Sequence, residues 1–307
     1  MHNTLNNERD NSLTSNAFGF MRIPLCFNPY EKNDNQYVIT GAPFDLATSG
    51  RSGSRFGPNS IRQMSTNLTW EENRWPWNFN FRQYVQVIDC GDLVYSPGNA
   101  QEFSDKLYLH AKKLLSLKKY MITIGGDHFI TLPILRAYKK YFGKIALIQF
   151  DAHSDTYPSQ NIFDHGSTFY HAINEDLIDP LYSVQIGIRT QYNKNFYFKV
   201  FDSIQVNNLP TYNILKEIKS TIGDMFVYIS IDIDCLDPAY APGTGTPVIG
   251  GISTEKIGKI IRGLTDINII GMDVVEVSPP YDASGITSLA AATIILDLIY
   301  LNTFRKK

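Results

Sequence analysis

The chain repeatedly runs a short apolar segment into an acid or a histidine. Met121-Ile122-Thr123-Ile124 leads into Gly125-Gly126-Asp127-His128, and Ile145-Ala146-Leu147-Ile148 leads into Phe150-Asp151-Ala152-His153-Ser154-Asp155. Residues 225–231 lead into Asp232-Ile233-Asp234, and residues 269–275 into Glu276. Apolar runs of this length read as strands of a parallel sheet buried on both faces. Residues 37–41, 85–89 and 184–188 add further strands. Between them lie helical patterns. Gly57-Pro58 opens one helix, because proline is tolerated in a first turn. Leu107, Ala111, Leu114 and Leu115 mark a helix over 104–118 behind Ser104 as cap. Another follows His128 through Leu135. Ser253 caps a helix with Ile257, Ile260, Ile261 and Leu264 on one face. The last helix runs from about 288 to 304. Strands alternating with helices give an α/β fold with a mainly parallel sheet covered on both faces. No linker or internal repeat interrupts 1–307, so the simplest reading is one domain, with the polar, turn-rich residues 1–36 wrapping the surface or an oligomer interface. The pattern alone does not separate an open sheet from a closed barrel.

Composition narrows the function classes. A net charge of −2 over 307 residues offers no basic footprint for nucleic acid or a membrane surface. Cys26, Cys90 and Cys235 are sparse and scattered, which fits a reducing cytosol better than a disulfide framework. The N-terminus lacks a signal-peptide pattern, and the apolar stretch 289–301 is too short to span a bilayer and contains Asp297. These features point to a cytoplasmic protein.

On extended backbone, positions two apart face the same way. Asp151, His153 and Asp155 would therefore converge just past a strand end, as would Asp232 and Asp234. With His128 this makes four carboxylates and two imidazoles, enough for two divalent cations. Without cations the carboxylates would repel one another. Oxygen-rich ligation with some imidazole and no thiolate favours Mn²⁺, with Zn²⁺, Co²⁺ and Fe²⁺ still open. Cys235 should point away from the site as a buried structural thiol. A metal pair can lower the pKa of a shared water towards neutrality. The reaction class is then hydrolysis at an electrophilic carbon or phosphorus.

The same residues carry a family resemblance. The segments 124–131, 150–155 and 230–238 with Ala241-Pro242-Gly243 resemble the three signatures of the ureohydrolase (arginase/agmatinase) family. Residues 271–277 are similar to its C-terminal segment. Asn11-Ser12-Leu13, residues 15–20, Thr48-Ser49-Gly50-Arg51 and residues 91–95 resemble its bacterial agmatinase branch. Ser154 departs mildly from the threonine common in the family. The resemblance implies a three-layer α/β/α sandwich, which favours the open sheet. It implies one Mn²⁺ held by His128, Asp151, Asp155 and Asp232, and another by His153, Asp151, Asp232 and Asp234, with Asp151 and Asp232 bridging. A bridging hydroxide would attack the guanidinium carbon. Asp155 would orient it, His165 would shuttle protons, and Glu276 would pair with the guanidinium. Homotrimers or homohexamers are expected.

Tyr157 and Pro158 stand where arginases hold small residues for the substrate's α-carboxylate, and position 190 is threonine rather than an acid. These departures favour agmatine, giving urea and putrescine. Asp164 and Asn161 are candidates for meeting its distal amine. His171, His110 and His2 take structural or surface readings, and the Arg51/Arg55 loop, which lacks a P-loop ending, takes a structural or interface role. Three rivals stay open: another amidinohydrolase such as a guanidinobutyrase, a two-metal phosphoesterase, which would want Arg or Lys near the metals, and a non-catalytic metal-binding scaffold.

Overall fold

The computed structural model describes residues 19–26, 28–31 and 36–305. Eight strands form one sheet: β1 Gln36–Ala42, β2 Gln86–Asp92, β3 Tyr120–Gly125, β4 Ala146–Phe150, β5 Val184–Ile188, β6 Lys199–Asp202, β7 Phe226–Asp232 and β8 Asn268–Val275. The order is β2-β1-β3-β8-β7-β4-β5-β6, and every neighbouring pair is parallel. The sheet is open, with distinct edge strands, rather than a barrel.

Side-chain alternation along the strands separates two apolar layers. Ile39, Ile122, Ile148, Ile229 and Met272 pack with Ile61 of α1 (Gly57–Ser65), Ile218 of α6 (Thr211–Ile222), Ile257 of α7 (Thr254–Arg262) and Ile295 of α8 (Ile286–Phe304). The same layer holds Val206 of α5 (Ser203–Asn208). On the opposite face, Val38, Met121, Leu147 and Tyr228 join Leu107 of α2 (Ala100–Ser116), Leu135 of α3 (Thr131–Phe142) and Phe169 of α4 (Thr168–Asn174). The result is the expected three-layer α/β/α sandwich.

Topology places the candidate ligands together. β3, β8, β7 and β4 are consecutive in the sheet, and parallel strands all end at one edge. The loops carrying His128, Glu276, Asp232 with Asp234, and Asp151 to Asp155 therefore leave the sheet side by side, where open α/β sheets usually place their sites.

Several expectations need correction. α2 is capped by Asn99, whose side chain accepts the Glu102 N–H at 3.0 Å, and Ser104 is buried inside the helix. The buried face starts at Phe103, one turn ahead of Leu107, so the helix begins before Ser104. The edge strand β6 is four residues long and mostly half-buried, so it shows no apolar run. Phe20, Met21 and Ile23 lie in the core rather than on the surface, with the Phe20 N–H on Asp89 at 2.8 Å. Residues 1–18, which include His2, Asn11-Ser12-Leu13 and most of the segment 15–20, lie outside the described residues. By length and composition α8 could cross a membrane, yet 78% of its most apolar 18-residue window is buried within the fold. Its Asp297 meets Arg262 at 2.8 Å and Trp77 Nε1 at 2.9 Å.

Candidate metal centre

Two groups of donors meet at the strand ends. In the first, His128 Nδ1 lies 2.8 Å from Asp155 Oδ2, 3.2 Å from Asp151 Oδ2 and 3.4 Å from Asp232 Oδ2. In the second, His153 Nδ1 lies 3.0 Å from Asp234 Oδ2 and 3.5 Å from Asp151 Oδ1. His128, Asp151 and Asp232 form one set able to hold a cation, and Asp151, His153 and Asp234 form another. Asp151 thus presents one oxygen to each. Asp232 faces the first group, while its Oδ1 accepts the Asp234 N–H at 2.9 Å.

Loop geometry, not strand alternation, produces this convergence. β4 ends at Phe150, so Asp151, His153 and Asp155 lie beyond extended backbone. Asp155 has a left-handed φ of 50°, and its carbonyl accepts the Phe169 and Tyr170 N–H groups at 2.9 and 3.2 Å. Asp234 sits in a 3-10 turn over Ile233–Cys235. The acids are held by backbone donors: His153 N–H to Asp151 Oδ1 at 2.6 Å and Ala152 N–H to Asp234 Oδ1 at 3.0 Å. Cys235 points into the apolar core, as expected.

A polar layer beneath the site orients His128. Ser230 Oγ donates to Asp273 Oδ1 at 2.6 Å and lies 2.8 Å from His128 Nε2. Its single proton is committed to the carboxylate, so it accepts from Nε2–H, which leaves the lone pair on Nδ1. That atom is buried without a hydrogen-bond partner. Thr131 and Tyr228 hydroxyls also donate to Asp273, each at 2.8 Å. Gln149 Nε2 donates to Asp151 Oδ2 at 2.7 Å and is braced by Gln185 through its own amide oxygen at 2.6 Å. A buried imidazole lone pair facing carboxylates is the donor set a hard divalent cation requires, and its fixed outer partner is what tunes such a ligand.

Electrostatics agree. Two like charges about 4 Å apart at an effective dielectric of ~20 repel by about 4 kcal/mol. Burial and the Asp151 charge push Asp155 up to about 6 despite His128. Burial opposes charge on Asp151, but the neighbouring His128 and His153 hold it below the usual carboxylate range. Burial disfavours a charged His153, yet Asp151 and Asp234 push it up to about 12. The acids thus draw a proton onto His153, and a bound cation would replace it.

Glu276 and His165 border this cluster. Glu276, at φ 66°, accepts the His128 N–H at 3.0 Å and meets His165 Nδ1 at 2.8 Å, both through Oε1. Its Oε2 is buried with no partner. Such an orphaned carboxylate oxygen suits a charge-assisted N–H donor. Burial disfavours imidazolium at His165, but the bond to Glu276 and its charge push it up to about 9.

The arginase-family model matches residues 35–300. The chain belongs to the arginase family. It is a hydrolase of this ureohydrolase family, and its sheet and helices form the arginase-type fold. It is 59% identical over 304 residues to the agmatinase of Photorhabdus laumondii, covering 99% of both chains. It is likewise 59% identical over 303 residues to that of Proteus mirabilis, again covering 99% of both. The crystal structure of a hypothetical agmatinase from Burkholderia thailandensis superposes with a TM-score of 0.92 at 40% identity, over 96% of this chain and 93% of that one. The proclavaminate amidino hydrolase of Streptomyces clavuligerus gives 0.89 at 34% identity, over 96% and 99%.

Around this centre the remaining residues take definite places. Tyr157 OH lies 3.2 Å from Thr190 Oγ1 and donates to the Gln191 carbonyl at 3.1 Å. The two candidates for the distal amine are used locally. Asp164 Oδ1 accepts the Gly166 N–H at 3.0 Å, and the Asn161 amide bonds both backbone groups of Phe163. Arg55 pairs with Asp45, and Arg51 lies over the Tyr281 ring at 4.9 Å, which fits their structural reading. His110 is buried between Tyr30 and Thr40, and His171 bonds the exposed Asn161 carbonyl.

Sequence reasoning missed Asp273, Gln149, Gln185 and Arg189. Arg189 donates to the carbonyls of Asp234 at 2.6 Å, Val248 at 2.7 Å and Leu236 at 3.2 Å, fixing the turn that carries Asp234. A polar residue inside an otherwise apolar strand, such as Gln149 or Asp273, was the available signal.

Proposed function

We propose that this chain hydrolyses the guanidinium group of agmatine to urea and putrescine with two Mn²⁺ ions. One ion is held by His128, Asp151, Asp155 and Asp232, and the other by His153, Asp151, Asp232 and Asp234. The observation that carries this reading is Asp151, whose two oxygens face the two imidazole groups separately, with the orphaned Oε2 of Glu276 nearby. Such ions, when bound, would lower the pKa of water and so supply a nucleophile near neutral pH. The chain's own residues do the rest. Glu276 Oε2 accepts guanidinium N–H groups and fixes the carbon in place. Asp155 orients the attacking oxygen. His165 passes a proton to the departing amine, without which a strongly basic nitrogen would leave poorly.

Agmatine is favoured by the near-identical length and agmatinase names of the relatives, and by Tyr157 in place of a carboxylate anchor. Among the described residues, Arg189 beside this site is occupied by carbonyls rather than free to clamp a phosphate. We further propose that residues 1–307 act as one cytoplasmic domain, assembled as a homotrimer or homohexamer, without nucleic-acid or membrane partners.

The test is urea release by the Mn²⁺-loaded protein offered agmatine, arginine and 4-guanidinobutyrate separately, with a chelated control. Metal-dependent urea from agmatine alone is expected. Urea chiefly from either other substrate overturns the pocket reading, and no urea from any overturns the reaction.

A further inference from the structure

His165 is approached from two sides, and the outer side has no role in the function proposed above. Glu276 Oε1 meets Nδ1 at 2.8 Å. At the opposite ring nitrogen, the Ser49 backbone N–H points at Nε2 from 3.1 Å, and Ser49 Oγ lies 2.9 Å from the same atom. A backbone N–H can only donate, so it requires a lone pair on Nε2. A hydroxyl can donate or accept, so it can face Nε2 with or without a proton.

Ser49 is placed there by construction. Its loop is tied across the base by Asp45, which pairs with Arg55 and accepts the Gly53 N–H at 2.9 Å. Asp127 Oδ2 accepts the Ala47 N–H at 2.9 Å, and the His165 N–H reaches the Ala47 carbonyl at 3.2 Å. Gly126 lets this loop approach: a Cβ there would lie 1.8 Å from the Phe44 carbonyl oxygen. Ser49 itself is exposed, whereas His165 and Glu276 are buried. The hydroxyl therefore stands between a buried ring and solvent.

We propose that Ser49 is a positioning residue for the proton-transferring histidine, its N–H favouring a lone pair at Nε2 and its hydroxyl accepting the proton bond when the ring is charged. Glu276 pulls the ring towards imidazolium, and the Ser49 N–H pulls it towards the neutral form with the proton on Nδ1. The hydroxyl makes both states tolerable, so Nε2 can give up a proton and regain one through Ser49 Oγ on the solvent side while Nδ1–H stays on Glu276 Oε1. The inference rests on His165 acting as the shuttle.

Ser49→Ala removes the hydroxyl and keeps the opposing N–H. Imidazolium then loses an acceptor, and the alkaline limb of the kcat–pH profile moves down by about one unit. The KM for agmatine stays within twofold, because Glu276 is untouched. Ser49→Thr keeps a hydroxyl and restores the wild-type limb. A readout apart from activity is deuterium exchange at the His165 ring C2, followed by mass spectrometry against pH in the metal-loaded protein. Its midpoint should fall in Ser49→Ala and return in Ser49→Thr. Unchanged limb and midpoint in Ser49→Ala overturn the proposal. If His165→Asn leaves rate and profile unaltered, the shuttle reading itself fails and this inference falls with it.

Discussion

His128 and His153 each turn Nδ1 towards Asp151, yet they are held very differently. The His128 group is braced from four consecutive strands: His128 follows β3, Asp151 and Asp155 follow β4, Asp232 and Ser230 lie on β7, and Asp273 lies on β8. Its imidazole is fully buried, with the tautomer fixed through Ser230. The His153 group rests on two loops, and its imidazole is 20% exposed. Its supports are mostly backbone contacts, with Arg189 gripping the turn of Asp234. One position is built into the sheet, and the other is laid over it. The first should bind a cation more tightly and tolerate fewer changes, while the second should exchange more readily.

Asp151→Asn strikes both positions and should have the largest effect. Activity should fall roughly a thousandfold or more, and bound metal, measured by elemental analysis after desalting, should drop well below two per chain. A variant that kept two ions and its rate would remove Asp151 from the link between the groups. Asp234→Asn should be selective, with one ion retained, the other lost and the rate reduced by a similar order. Equal loss of both ions would mean that the two positions are not independent.

Asp273→Asn probes the support of the buried group alone. Metal affinity at the tighter position should fall ~10–100-fold, seen by titration against a chelator, with the weaker position unchanged. The smallest effect concerns stability of the metal-free protein. The His165 pKa is raised from its ordinary value to about 9, so its contribution is fully present below about pH 6.5 and is lost as pH rises through about 9. His165→Asn should flatten that part of the Tm–pH curve, and an unchanged slope would detach the His165–Glu276 pair from stability.

The contrast also explains what the sequence disclosed. The six candidate ligands were legible because each follows an apolar run, and the sheet does bring them to one edge. Their adjacency was not legible from β/α alternation, since strand order β3-β8-β7-β4 is a tertiary property. The alternation argument brought Asp151, His153 and Asp155 together by the wrong geometry. A left-handed Asp155 and a 3-10 turn at Asp234 do that work. Ser230, Asp273 and Arg189 act across long sequence separations, which no local pattern encodes. Ser49 was visible only as part of a glycine-rich loop, because its partner lies 116 residues away.

The most direct test is to add Mn²⁺ stepwise to the metal-free protein while measuring bound metal and urea release from agmatine on the same samples. If the positions differ as described and both serve the reaction, the first equivalent binds tightly with little activity, and the rate rises with the second. Full activity at one equivalent per chain would contradict the account.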